Sequence, residues 1–216
     1  VVIQRQRTAV AFDRQASPEQ LVDAAIEAAQ IDRTEPASIF SAAAISSAER
    51  TTWAQFPQPV HGSDVRPAAQ AGRFYPADVR ELNALVDRCL AGPEVQTQQV
   101  SAVMIPHAGL IYSGKIAGDV LRRVQIPERV IIIGPKHTQH GVDWAIAPNS
   151  VWAVPVGKLS ADRELANLLC QHIPGLQLDA AAHAQEHAIE VELPLLAKLS
   201  PQTKVTGIAL GQASLE

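Results

Sequence analysis

Two histidines carry the first chemical signal in this chain. His107 and His137 each follow a short apolar run that stops at a proline. Residues 102–105 lead into Pro106-His107-Ala108-Gly109, and residues 130–133 into Gly134-Pro135-Lys136-His137-Thr138. Residues 115–124, between them, have helical spacing. Strand, loop, helix, strand, loop in that order predicts a right-handed crossover, which places both loops on one edge of a parallel sheet. Two imidazoles meeting there are the beginning of a metal site, because neutral imidazole is a good ligand for Fe, Cu and Zn. Residues 102–105 and 130–133 are therefore expected to be adjacent parallel strands, with His107 and His137 at their carboxyl ends.

Two further motifs could do chemistry. His183-Ala184-Gln185-Glu186-His187 matches the H-x-x-E-H of inverted zinc peptidases, in which two histidines hold zinc and the glutamate moves protons. Such a site needs a third ligand well downstream, and only 29 residues follow His187. Gly109-Leu110-Ile111-Tyr112-Ser113-Gly114-Lys115-Ile116 falls one residue short of a phosphate-binding P-loop. Ile116 stands where the magnesium-binding hydroxyl belongs, and no later strand ends in an Asp to replace it. These glycines are expected instead to allow a tight turn and close helix packing.

The elements that must position these residues belong to a chain of 216 residues with 47% hydrophobic and 19% charged residues, the balance of a globular protein with a sizeable core. A net charge of -4 gives no electrostatic reason to expect nucleic acid or an anionic membrane. No apolar run approaches a membrane span, and no signal peptide is visible. Cys89 and Cys170 form no CxxC and read as buried thiols in a reducing, cytoplasmic compartment.

Residues 1–64 differ from the rest, holding five arginines, no lysine and eight acids. Residues 1–12 suggest a strand. Ser17-Pro18-Glu19-Gln20 is a helix start with Ser as N-cap and Gln three positions on, predicting a helix to about Gln30. A second, Ala-rich helix is expected over 36–53, and the prolines and glycine of 55–67 read as a linker. Beyond it, Leu82, Leu85, Val86, Cys89 and Leu90 predict a helix ended by Gly92-Pro93. Residues 145–154 are apolar and partly alternating, 163–170 an amphipathic helix, and 205–210 a strand. The sum predicts an α/β fold with a mostly parallel sheet and flanking helices.

Four blocks together, Arg73-Phe74-Tyr75-Pro76, Pro106-His107-Ala108-Gly109 with Tyr112-Ser113-Gly114, Gly134-Pro135-Lys136-His137-Thr138, and Glu186-His187-Ala188-Ile189-Glu190-Val191-Glu192-Leu193-Pro194, resemble the MEMO protein family, whose bacterial members are called AmmeMemoRadiSam system protein B. The resemblance runs from about Val65 onward and does not touch 1–64, which reads as an N-terminal extension of unknown role. Leu110 stands where the family usually has Tyr, and Lys136 where Asn is common. Lys136 is expected to point away from the site or to meet an anion.

The resemblance implies a fold like that of the class III extradiol dioxygenases, with a non-haem metal site, Fe(II) before Cu or Zn. It implies His107 and His137 as metal ligands. His187 would be an acid/base group in the pocket, and Glu190 would fix its ring. The family's remaining ligand lies in a block resembling Ser-Ser-Asp followed by His, with a Cys beyond. That makes 65–216 a MEMO-like domain truncated at its C-terminus, with weak metal binding expected. The implied activity is dioxygenase-like redox chemistry on a small molecule or peptide. The alternatives are a metal- or partner-binding protein without turnover and a zinc hydrolase. His61, His140, His172 and His183 are expected to be ordinary polar residues.

Overall fold

The computed structural model describes residues 1–211. They form two compact units, Val1–Gln58 and a second beginning at Pro59. The division falls inside the Pro-rich stretch rather than at its end, because residues 60–64 are bonded into the second unit. Val60 N–H donates to Asp179 Oδ1 at 2.9 Å and Ser150 N–H to Asp64 O at 2.7 Å.

In the first unit β1 (Val2–Gln4) and β2 (Arg7–Asp13) form an antiparallel hairpin, with Arg5 at φ 54° in its turn. Helix α1 (Pro18–Ala29) starts as the sequence predicts: Gln20 N–H donates to Ser17 Oγ while Ser17 N–H donates to the Gln20 side chain. The expected helix over 36–53 is absent. In its place are β3 (Ser38–Ile39) and β4 (Arg50–Gln55), giving a sheet of order β3-β1-β2-β4. The β-branched and aromatic Thr51, Thr52 and Trp53 suit a strand, and pairing with β2 from Thr8 to Asp13, with Val10 opposite Trp53, overrides the alanine content. Ala25 and Ala29 of α1 pack with Val2 and Ala9 as this unit's small core.

The second unit is α/β. In chain order it contains β5 (Val65–Arg66), α2 (Val79–Leu90), α3 (Leu110–Leu121), β6 (Arg129–Pro135), β7 (Trp144–Ile146), β8 (Val151–Val154) and β9 (Gly157–Ala161). Then come α4 (Arg163–His172), β10 (Gln177–Leu178), α5 (Ala180–His183), a 3-10 turn at Glu190–Glu192, α6 (Leu193–Leu199) and β11 (Lys204–Leu210). The sheet is mixed and mostly parallel, of order β10-β7-β11-β9-β8-β5 with β6 also on β11. β6 and β11 run parallel over seven pairs, Arg129 to Pro135 against Lys204 to Leu210.

Residues 102–105 are not a strand beside β6; they run irregularly. Their apolar character has a different use: Ile105 packs on the main core, whereas Met104 is 93% exposed. Helix α3 lies close on α2 because it presents Gly114 and Gly118. A Cβ at those positions would sit 2.5 Å from Cys89 Sγ and 2.3 Å from Cys89 O. Lys115 reaches Ala91 O and Asp119, so the near P-loop is a helix-packing device. Among the described residues no helix is long and apolar enough to cross a membrane.

Candidate metal centre

His107, His137 and His187 meet at the end of β6. One ligating atom from each lies within 4.8 Å of the others. Ring centroids are 5.3 Å apart for His107–His137, 5.8 Å for His107–His187 and 4.2 Å for His137–His187.

Each histidine is delivered by a different device. His137 follows β6 directly. Lys136 beside it turns away, its Nζ donating to Gly141 O at 3.0 Å and Val142 O at 2.9 Å with the Asp143 carboxylate at 3.8 Å. No cation therefore enters the centre from that position. Gly141 makes this return possible: its φ is +71°, and a Cβ would lie 2.1 Å from Asp179 Oδ2. His107 is held from both sides, by Ile105 in the core and by the start of α3, where Ser113 Oγ–H donates to Ala108 O at 2.8 Å and Leu110 N–H to Phe74 O at 2.8 Å. His187 approaches the end of β6 because Gly134 leaves room, a Cβ there falling 2.9 Å from the Ala188 Cβ. The Phe74 ring stacks on His187 at 4.1 Å and 24°.

Behind the histidines sits Glu186, 1% exposed. Oε1 accepts from His187 N–H at 2.8 Å and Ala188 N–H at 3.1 Å and lies 2.8 Å from His137 Nδ1. Oε2 accepts from His137 N–H at 2.6 Å and Thr138 N–H at 3.3 Å. Burial alone would raise its pKa, but the His137 ring and the surrounding backbone N–H groups outweigh burial and hold it below the usual value. Burial, then the neighbouring His137, lowers the pKa of both His107 and His187. Both rings are neutral at neutral pH, with lone pairs available for a metal.

Glu190, expected to fix the His187 ring, is turned to other partners. It accepts from Arg66 Nη1 and Tyr75 Oη, from Gln70 N–H at 2.8 Å and from Ala69 N–H at 3.2 Å. Arg66 also donates to His183 O at 3.0 Å and Glu186 O at 2.8 Å. This buried network ties the 66–75 segment to the 183–190 segment, and so seats Phe74 against His187. Burial, with Glu190 second, raises the Tyr75 pKa, which keeps its hydroxyl protonated as a donor.

The H-x-x-E-H motif comes apart in space. His183 is buried, its Nε2 3.1 Å from Ala145 O, and burial pulls its pKa down to about 4. It is not among the residues whose donor atoms converge. Arg66 escaped the sequence reading. Glu186 entered it as the proton-moving glutamate of H-x-x-E-H and as the head of a family-like block, but not as the partner of the His137 ring.

A family profile described as "Memo-like protein" matches residues 66–216. A "MEMO1 family protein" of Aquifex aeolicus is 40% identical over 132 residues, covering 61% of this chain and 49% of its own length. Another from Ignicoccus hospitalis is 40% identical over 145 residues, 61% and 51% by coverage. One from Methanococcoides burtonii is 35% identical over 148 residues, 68% and 55% by coverage. The chain spans about half the length of the curated relatives it matches.

Proposed function

The chain belongs to the Memo-like family, and from that membership we propose that His107, His137 and His187 bind a redox-active divalent metal, Fe(II) ahead of Cu and Zn, for dioxygenase-like oxidation of a small molecule or peptide. The observation that carries this reading is the convergence of three imidazoles with ligating atoms within 4.8 Å of one another. Three donors each about 2.1 Å from one metal lie roughly 3.0–3.6 Å apart, from an octahedral face to a trigonal plane, so the rings need to close by no more than about 1–2 Å. The resemblance to class III extradiol dioxygenases supports the redox part of the proposal.

When bound, such a metal supplies a Lewis-acidic, redox-active centre with coordination positions left over for a substrate oxygen. The protein's own residues do the rest. His107 and His187 stay neutral and offer lone pairs. Phe74 shields one face of His187 from water. Glu190, through Arg66 and Tyr75, keeps the Phe74 loop in place.

The test is anaerobic titration with Fe(II), Cu and Zn, followed by oxygen uptake with a panel of catechols. One metal per chain and Fe-dependent uptake are expected. Tight binding with no uptake on any catechol would replace the redox reading by metal binding without turnover. No binding of any of the three metals would remove the site.

A further inference from the structure

We propose that Glu186 is the positioning residue of this centre: it selects the ring nitrogen that His137 offers to a metal and fixes the spacing of two of the three histidines. The inference rests on the metal-site reading for its purpose, but not for its geometry.

Both carboxylate oxygens already face backbone donors, His137 and Thr138 N–H on Oε2 and His187 and Ala188 N–H on Oε1. A backbone N–H can only donate, so a proton on either oxygen would face these converging hydrogens, and the carboxylate acts as an acceptor on both oxygens. The contact with His137 Nδ1 at 2.8 Å then has one polarity: Nδ1 carries the hydrogen and donates, leaving the lone pair on Nε2. That is the nitrogen free to ligate. His187 Nδ1 lies 3.3 Å from the same Oε1, which biases the second ring in the same sense. A carboxylate behind a ligating histidine fixes tautomer and ring orientation, and losing one weakens metal binding about 10–100-fold. Here one carboxylate addresses two rings and the backbone of both loops. The glutamate of the H-x-x-E-H string thus orients ligands rather than moving protons between two zinc-binding histidines.

The experiment is two-bond ¹H–¹⁵N correlation on the metal-free, ¹⁵N-histidine-labelled chain at pH about 8, above the ordinary histidine range. It is paired with Zn titration of the wild type, Glu186→Ala and Asp179→Asn. Asp179 is the control, a buried carboxylate that also clamps backbone N–H groups, those of Val60, Val142 and Ala181, without touching the three rings. The wild type is expected to show His137 protonated at Nδ1 and bare at Nε2. Glu186→Ala should return His137 to the Nε2–H-rich mixture of a free imidazole and weaken Zn about 10–100-fold, while Asp179→Asn changes neither. His137 protonated at Nε2 in the wild type would overturn the proposal, and that measurement stands even if Glu186→Ala does not fold. Equal losses in Glu186→Ala and Asp179→Asn would also overturn it, reducing Glu186 to a loop clamp. The expected tautomer in a wild-type chain that takes up no metal would sustain the positioning role and sink the metal reading.

Discussion

Glu192 offers a quantitative test of how the second unit is packed. It is 2% exposed, its Oε2 has no hydrogen-bond partner among the described residues, and burial pushes its pKa from 4.5 up to about 8. The sign follows from proton counting. Between pH 4.5 and about 8 the folded chain keeps a proton that the unfolded chain has lost, so stability falls as pH rises through this window, by about 1.4 kcal/mol per pH unit. Above the window the penalty is complete, with a ceiling of about 5 kcal/mol. His183 works oppositely. Its folded pKa of about 4 lies below its ordinary 6.5, so stability is lost as pH falls between those values. The two slopes oppose each other between pH 4.5 and 6.5, where the wild-type profile alone hides both.

The informative quantity is therefore the difference between wild type and Glu192→Gln. It is to be measured by urea unfolding from pH 4 to 9 in a Trp53→Phe background, so that fluorescence reports Trp144 and Trp152 of the second unit only. Glu192→Gln should gain several kcal/mol on the wild type between pH 4 and 9, on the order of 3–5. A difference flat to within about 0.5 kcal/mol would show that Glu192 is ionised and paired in the folded state, and the reasoning would fail.

Other outcomes follow from the same geometry. His187→Ala should weaken Zn or Fe(II) binding as severely as His107→Ala, read by calorimetric titration; metal retained at full affinity in His187→Ala would return that residue to a supporting place. Arg66→Ala leaves the Glu190 carboxylate buried without its ion pair and should cost about 3–5 kcal/mol in urea midpoint measurements, with His187 losing its Phe74 stacking shift in NMR. In His183→Gln the acid-side loss of stability should shrink between pH 6.5 and 4, checked on the same urea series; an unchanged profile would mean the ring is already protonated when folded. Limited proteolysis should cut first near Pro57–Pro59, ahead of the bonds made by residues 60–64; first cuts inside the second unit would count against two units.

What the sequence made legible was local chemistry. Ser17, Pro18 and Gln20 specify the start of α1 because capping is decided within four residues. The helical spacing of Leu82, Leu85, Val86 and Cys89 marks the buried face of α2 for the same reason. Pairing across distance was not legible. The alanines of 42–44 and the strand at Arg50–Gln55 occupy one apolar-looking stretch, and only β2 decides which part is extended. Residues 102–105 look like a buried strand, yet among the described residues they have no ladder partner. His107 still reaches His137, because Ile105, Ser113 and Phe74 O hold its loop.

The stretch from His183 to Glu192 shows why the site itself was only half readable. Assigning Glu190 to the His187 ring assumes a helix between them, in which residues three apart share a face. The backbone instead turns at 184–185 and 188–189 and runs irregularly through Glu186 and His187 between them, and only Glu190–Glu192 is a 3-10 turn. An irregular backbone can send each side chain its own way. His183 goes inward to Ala145 O, Glu186 to the His137 ring and its own following N–H groups, and His187 to the other two histidines. Glu190 goes to Arg66 and Tyr75, and Glu192 into the interior. Five ionisable groups in ten residues, four of them almost fully buried, amount to a large desolvation cost unless each finds partners. Four find them, and Glu192 instead keeps its proton. The segment is irregular because no single periodicity could satisfy all five destinations, and that irregularity places His187 beside the other two histidines with a carboxylate behind it.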